Sequence, residues 1–123
     1  MDLVRAQGVI AEITRKIAAF FQTCDVLVTP ALAMMPPPIG YLFADGPEAD
    51  LVWARMRSFA PFCHIYNGTG QPAMTIPATW NDQGLPVSIQ LVARYGDEGS
   101  LFRLASQLET ARPWKHRRPK VYA

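Results

Sequence analysis

The stretch YNGTGQPAMTIPATWNDQGLPVSIQLVAR, from Tyr66 to Arg94, decides the fold. Two apolar runs, PAMTIPA and VSIQLVA, flank the turn-forming residues WNDQGLP, and this pattern predicts two strands joined by a turn. In the second run Ser88 and Gln90 alternate with apolar residues, which gives the strand one apolar face. The whole stretch contains one serine, one carboxylate and no lysine, cysteine or histidine. It therefore builds structure while carrying few reactive side chains.

The N-terminal part combines a helix, a short strand and a long loop. Residues 2–22 predict an amphipathic helix whose apolar stripe is expected to pack into the core. The stripe consists of Leu3, Ala6, Ile10, Ile13, Ile17 and Phe20. The run DVLVTP at 25–30 predicts a strand buried on both faces, as in a parallel sheet. Residues 31–50 have no usable periodicity and predict a long loop, a kind of segment that is usually a functional lid or disordered.

Two further helices bracket the paired strands. One is predicted over residues 49–67, broken at Pro61 and ending at the Asn67-Gly68 pair. The other has Asp97 as its N-cap and runs to about residue 112. This order of elements predicts an α/β layered fold, with residues 1–123 as a single unit. Three strands are few for a complete sheet, so the remaining strands are expected to lie elsewhere.

Composition excludes several classes of protein. Half of the 123 residues are apolar, 18% are charged and the net charge is +2, which indicates a globular domain without nucleic acid as a partner. The longest uncharged stretch, residues 26–43, contains four prolines, so no membrane helix is expected there. Cys24 and Cys63 lie 39 residues apart without a disulfide-scaffold spacing, which favours a reduced, cytoplasmic setting.

No catalytic set assembles from these residues. Nucleophilic catalysis needs a Ser, Cys or Lys beside a base, and none of the four serines lies in a Gly-x-Ser-x-Gly elbow. Cys63 and His64 are adjacent, but neighbours on a helix point about 100° apart, so a structural cysteine is favoured over a nucleophile. Clustered metal ligands and a phosphate-binding loop are both missing from the sequence, so neither a metal nor a cofactor is expected.

The basic tail WKHRRPKVYA, residues 114–123, leaves two interpretations open. Its positive charges could contact RNA or phosphate, but the rest of the chain is nearly neutral and a solvated terminus is favoured. Asp97 and Glu98 could form an acid pair, although a helix cap explains them better.

The opening stretch resembles the C-terminal region of the amidase signature family. That family has the pattern Asn-x-Thr-Gly-x-Pro-Ala, then a Ser and a Pro, then Gly-Leu-Pro-x-Gly-x-Gln, then an acidic residue that opens a Leu-rich helix. The matching residues are Asn67, Thr69, Gly70, Pro72, Ala73, Pro77, Gly84, Leu85, Pro86 and Gln90. The chain departs from the pattern at Thr75, Thr79, Trp80, Ser88 and Ala93. The upstream run FFQTCDVLVTPALAMMPPPIG also looks like the family's strand and proline-rich loop, so the resemblance spans nearly the whole chain.

The resemblance implies an α/β/α sandwich with a mixed central sheet, of which few strands are present here. Family members hydrolyse amide C–N bonds with a Ser–cis-Ser–Lys triad that lies N-terminal to the region matched. This sequence has no Gly-Ser-Ser-Gly run, so no catalytic residue is carried over. The expected contribution is sheet strands and a wall of the substrate pocket. The candidate wall residues are Phe62, Cys63, Tyr66 and Asn67, with Met34 and Met35 as candidate lid residues; core packing or turn capping is the alternative for each.

The sequence is therefore interpreted as a C-terminal amidase segment that is inactive alone. One alternative is a non-catalytic module that binds a small amide; another is a structural piece that complements a separate N-terminal part. An incomplete sheet would expose an apolar strand edge at VSIQLVA or DVLVTP. Such edges recruit partners, so self-association or pairing with the missing part is expected.

Overall fold

The computed structural model describes residues 2–43 and 49–118, which contain a small three-stranded sheet and four helices. In chain order the elements are α1 (Leu3–Phe20), β1 (Val26–Pro30), α2 (Ala49–Phe59), α3 (His64–Thr69), β2 (Ala73–Trp80), β3 (Pro86–Ala93) and α4 (Glu98–Ala111). The strands lie in the order β1-β3-β2 and both pairings are antiparallel. The predicted α/β layering with few strands is confirmed.

The β2–β3 hairpin forms where the sequence predicts it. The Asn81 side chain accepts hydrogen bonds from the backbone N–H groups of Gln83 (3.1 Å) and Leu85 (2.8 Å), which closes the turn. Gly84 supplies the left-handed conformation, with φ of 76°, that the turn requires. The strand β2 ends at Trp80, two residues beyond the predicted PAMTIPA. Within it, the register of pairing with β3 shifts between Pro77 and Thr79. Such a bulge accommodates a proline that cannot donate to the ladder.

One prediction about the strands is wrong. Val26–Pro30 pairs antiparallel with β3 instead of lying in a parallel sheet, and Val28 is 55% exposed. A short apolar run does not distinguish a strand buried on both faces from an edge strand that carries an exposed apolar side chain. Of the two candidate edges, VSIQLVA is excluded because β3 is hydrogen-bonded on both sides, whereas the run DVLVTP forms β1, an edge of the sheet among the described residues.

The main core lies between the sheet and α4. Its buried residues are Ile76, Leu91, Ala93 and Leu101. As predicted, Asp97 caps α4: its carboxylate accepts hydrogen bonds from Ser100 N (3.2 Å) and Ser100 Oγ (2.8 Å). The stripe Leu101, Leu104, Ala105 and Leu108 then faces the sheet.

The apolar stripe of α1 was expected to enter the core, and this prediction is wrong. None of the described residues of α1 is buried, and Leu3 and Ile10 are 70% and 42% exposed. The helix begins at Leu3, after the Asp2 cap and within one residue of the predicted start. Its periodicity is therefore correct, but the stripe is covered only in part: α1 contacts α3, and Ile13 and Ile17 are half-buried while Leu3 and Ile10 remain exposed.

Replacing Asp97 by Ala is expected to lower the free energy of unfolding, because the first turn of α4 loses its side-chain acceptor. The hydrogen bonds from Ser100 also lower the pKa of Asp97, so the stabilisation is present above the ordinary pKa of an aspartate and is lost as pH falls below it. Urea titrations at neutral and acidic pH measure both effects. The control is Asp97→Asn, which keeps a capping oxygen but does not titrate; equal stability of Asp97→Ala and Asp97→Asn would contradict the assignment.

Candidate functional site

The candidate wall residues lie in and beside a broken helix. The helix α2 ends at Phe59, two residues before Pro61, and α3 restarts at His64 with Cys63 as its N-cap. The predicted stop at Asn67-Gly68 is two residues early, because α3 continues to Thr69 and is capped by Gly70 with φ of 80°. Only a glycine adopts this conformation without strain.

Phe62 and Cys63 are half-buried and are connected to the sheet side of the molecule. The carbonyl oxygen of Phe62 accepts a hydrogen bond from Gln90 Nε2 at 3.2 Å. The thiol of Cys63 donates to the carbonyl oxygen of Ala31 at 3.4 Å. Through these two contacts the break between α2 and α3 is held against β3 and against the residue that follows β1.

Cys63 and His64 do not form a nucleophile–base pair. His64 Nε2 lies 3.5 Å from the carbonyl oxygen of Met56, whereas the Cys63 sulfur contacts Ala31. The two adjacent side chains thus have different partners, in agreement with the prediction that this cysteine is structural.

Tyr66 and Asn67 differ in their surroundings. Tyr66 is half-buried, and burial raises the pKa of its hydroxyl; the negative charge that Cys63 acquires on ionisation raises it further. Asn67 is exposed. Of the four candidate wall residues, Phe62, Cys63 and Tyr66 are therefore partly enclosed by protein, while Asn67 faces solvent.

The raised pKa of Tyr66 predicts how alkaline pH affects stability. The Tyr66 hydroxyl holds its proton more tightly in the folded chain than in the unfolded chain. The contribution of Tyr66 to the free energy of unfolding is therefore complete below the ordinary pKa of tyrosine and declines as pH rises above it. Urea titrations of the parent chain and of Tyr66→Phe at neutral and strongly alkaline pH measure the effect. The parent is expected to lose more stability than the variant between the two conditions. Equal losses would show that Tyr66 titrates alike in both states.

The candidate lid residues border a groove. Met34 and Met35 are both exposed, and they line an open groove of about 310 Å³ between the loop after β1 and the start of β3. The lining residues are Ala31, Leu32, Ala33, Met34, Met35, Pro36, Pro86, Val87 and Ser88. None of these carries a charge, so the described part of the groove suits an uncharged occupant.

The loop that carries Met34 and Met35 is anchored to α2. The Ala33 N–H donates to the carbonyl oxygen of Phe59 at 3.0 Å. Farther along, Arg55 donates to the carbonyl oxygen of Tyr41 at 2.8 Å, and its guanidinium lies 5.1 Å from the centre of the Tyr41 ring. Residues 44–48 of the predicted loop lie outside the described residues.

Ala31 belongs to the groove and also contacts Cys63, one of the candidate wall residues. It lines the groove, its N–H donates to Ser88 O at 3.1 Å, and its carbonyl oxygen accepts from Cys63. Sequence reasoning missed Ala31 and also the role of Gln90. The available signal for Gln90 was a polar side chain in the middle of the most apolar strand.

Three further features of the described residues concern metal ligands, membrane spans and the basic tail. No group of three or more His, Cys, Asp or Glu side chains among these residues could hold a metal ion. Within the same residues, no helix combines the length and apolar character needed to cross a membrane. Arg117 of the basic tail stacks on Trp80, at 4.5 Å from the ring centre, while residues 119–123 lie outside the described part.

Comparison with known proteins identifies the family. The family model named Amidase matches residues 1–102. AmiB2 of Mycobacterium tuberculosis (strain ATCC 25618 / H37Rv), which is named as an amidase, is 41% identical over 121 residues, or 98% of this chain and 25% of AmiB2. The 6-aminohexanoate-cyclic-dimer hydrolase of Pseudomonas sp. (strain NK87) is 36% identical over 103 residues, or 79% of this chain and 21% of that protein.

The fold agrees with this relationship. A solved structure of 6-aminohexanoate cyclic dimer hydrolase superposes with a TM-score of 0.79 and 31% identity, covering 90% of this chain and 24% of the other. The chain thus spans about a quarter of the length of the relatives that it matches. With the Asn67-to-Gln90 pattern, the family-model match and the shared fold in agreement, the chain belongs to the amidase signature family.

Proposed function

We propose that this chain is part of an enzyme that hydrolyses amide C–N bonds, to which it contributes sheet strands and one wall of the substrate pocket. The similarity to AmiB2 over 98% of the chain carries the proposal. The described residues also lack a paired nucleophile and base, and the only Cys–His neighbours have separate partners. The proton transfers and the acyl intermediate therefore belong to residues outside this chain, which by resemblance are the family's Ser–cis-Ser–Lys triad.

The chain's own part in the reaction is to shape the pocket. Phe62, Cys63, Tyr66 and Asn67 form the wall, and Met34 and Met35 cover the adjoining groove. Their geometry supports this role, because the wall and the groove meet at Ala31. A fixed wall orients the amide for attack, and a displacement of roughly 1 Å in such a surface can cost about 100-fold in rate.

The uncharged groove supports small, uncharged amides with an apolar portion as the substrate class. Its lining is apolar side chains and backbone with Ser88 as the one hydroxyl among the described lining residues. A charged substrate group would lose its hydration there without gaining a partner. The hydrolase from Pseudomonas, whose name gives a cyclic amide of aminohexanoate as its substrate, is consistent with this class. The two free thiols support a reducing, cytoplasmic location for the enzyme.

Hydrolysis of a panel of aliphatic and aromatic amides by the 123-residue chain tests whether the catalytic residues lie outside this chain. We expect no turnover above buffer, since the chain holds the wall and not the nucleophile. A saturable binding isotherm without turnover would favour the non-catalytic amide-binding alternative. Turnover that survives repeated purification would contradict the proposal, and Cys63 and His64 would then be substituted first.

A further inference from the structure

Gln90 occupies a position where the strand pattern does not require a polar residue. It lies in β3, the central strand, and is 4% exposed. Because side chains alternate along a strand, Gln90 lies on the face opposite Leu91 and α4. Burial of an amide without hydrogen bonds is unfavourable, so the contacts that Gln90 makes explain its presence.

Both donor hydrogens of the Gln90 amide have an acceptor. Nε2 donates to Thr29 Oγ1 at 3.3 Å and to the carbonyl oxygen of Phe62 at 3.2 Å. The Phe62 oxygen can only accept, so the amide nitrogen, and not the amide oxygen, must face it. One side chain thus joins β1, β3 and the break between α2 and α3.

The Phe62 carbonyl needs a partner from outside its own helix. In a helix the first carbonyl that accepts an intrahelical hydrogen bond is that of the N-cap, here Cys63. Phe62 precedes the cap by one residue, so its carbonyl lies outside the hydrogen bonds of α3. A half-buried carbonyl at such a position fixes the local backbone when a donor reaches it from the sheet.

We propose that Gln90 is a positioning residue, which sets the place of the pocket wall through its hydrogen bond to the Phe62 carbonyl. This assignment rests on the proposed function, because it treats Phe62 to Asn67 as the wall. The Cys63–Ala31 contact cannot replace the bond, since a thiol is a weak donor. The residue touches no substrate in this scheme; it acts by holding the backbone from which the wall side chains project.

The first experiment measures the rate at which a thiol reagent modifies Cys63 in the 123-residue chain, with Cys24 as the internal reference. In Gln90→Met, which keeps the size and removes the donor, Cys63 is expected to react about threefold to tenfold faster while Cys24 is unchanged. This is the factor by which loss of one hydrogen bond shifts a local opening equilibrium.

The matched control is Thr29→Val, which removes the other acceptor and leaves the bond to Phe62. Its Cys63 rate is expected to equal that of the parent. Unchanged Cys63 reactivity in Gln90→Met, equal acceleration in Thr29→Val, or equal acceleration of Cys24 and Cys63 would each overturn the proposal. This experiment needs no enzymatic activity, so its failure is distinct from failure of the proposed amidase function.

The second experiment measures the kinetic consequence in an exchanged enzyme, in which this chain replaces the matching region of the Pseudomonas hydrolase. Gln90→Met is expected to lower kcat/KM for an amide substrate several-fold, because a displaced wall binds and orients the amide less well. Thr29→Val is expected to leave kcat/KM near the parent value. Unchanged kcat/KM in Gln90→Met, or an equal fall in Thr29→Val, would overturn the assignment.

Discussion

The 123-residue chain is expected to associate with itself in solution. The substitution Ile10→Lys is expected to weaken this association by more than about tenfold, because it would place a charge in an apolar contact. Ile10 lies at the centre of the stripe on α1 and is 42% exposed; Leu3 and Phe20 on the same stripe are exposed as well. Large contiguous apolar surfaces on soluble chains mark contact sites.

The sheet offers a second contact surface at β1. Its outer side pairs with no strand among residues 2–43 and 49–118, and Val28 adds an exposed apolar side chain. The opposite edge, β2, is better protected, because it carries Pro77 and a bulge and because Arg117 covers Trp80. We therefore expect new contacts to form at α1 and β1 and not at β2.

Sedimentation or size-exclusion profiles over a range of concentrations measure the association. The control is Ala11→Lys, which adds the same charge at an exposed position about 100° around the helix from Ile10. It is expected to behave like the parent chain. A parent chain that remains monomeric at every concentration, or equal effects of the two lysines, would contradict the assignment of α1 as a contact surface.

The sequence predicted the elements better than their partners. The β2–β3 hairpin and the start of α4 depend on residues close together in the chain, namely the Asn81–Gly84 turn and the Asp97 cap, and both are confirmed. The stripe of α1 was also recognised, but its residues are at most half-buried, because burial depends on what packs against the helix and not on the stripe itself. The direction of β1 was missed because an apolar run of this length carries no information about the orientation of the strand beside it.

For the candidate site, too, the sequence predicted the residues better than the contacts between them. Phe62, Cys63 and Tyr66 were proposed by resemblance, and the structure places all three partly within the protein. The hydrogen bond between Gln90 and the Phe62 carbonyl was missed, because it joins residues 28 positions apart and no local pattern encodes it. The end of α3 was predicted two residues early, since both Gly68 and Gly70 are plausible stops and only the backbone angle of Gly70 distinguishes them.

The exchanged enzyme is expected to hydrolyse an amide substrate at a rate at least about 100-fold above that of the Pseudomonas hydrolase from which the matching region has been deleted. The deletion removes the proposed pocket wall, and misplacement of such a surface by about 1 Å already costs a factor of this size. The 36% identity to the Pseudomonas protein over 103 residues supports replacement of one wall by the other, and a solved 6-aminohexanoate cyclic dimer hydrolase shares the fold of this chain.

Two comparisons make this result specific. When the Pseudomonas hydrolase that lacks the matching region is mixed with the separate 123-residue chain, recovery of turnover shows whether the two parts assemble without a covalent link. The exchanged enzyme carrying Leu91→Ala, which leaves a cavity in the core between the sheet and α4, is expected to lose about 2–5 kcal/mol of stability and to lose turnover with its fold. Circular dichroism of each protein separates loss of the fold from loss of the site.

The proposed amidase role is tested by amide turnover of the exchanged enzyme and of the 123-residue chain alone, at equal concentration and in the same assay. We expect turnover by the exchanged enzyme and none above buffer by the chain alone. Turnover by the chain alone, or a folded exchanged enzyme no more active than the hydrolase that lacks the matching region, would contradict this role.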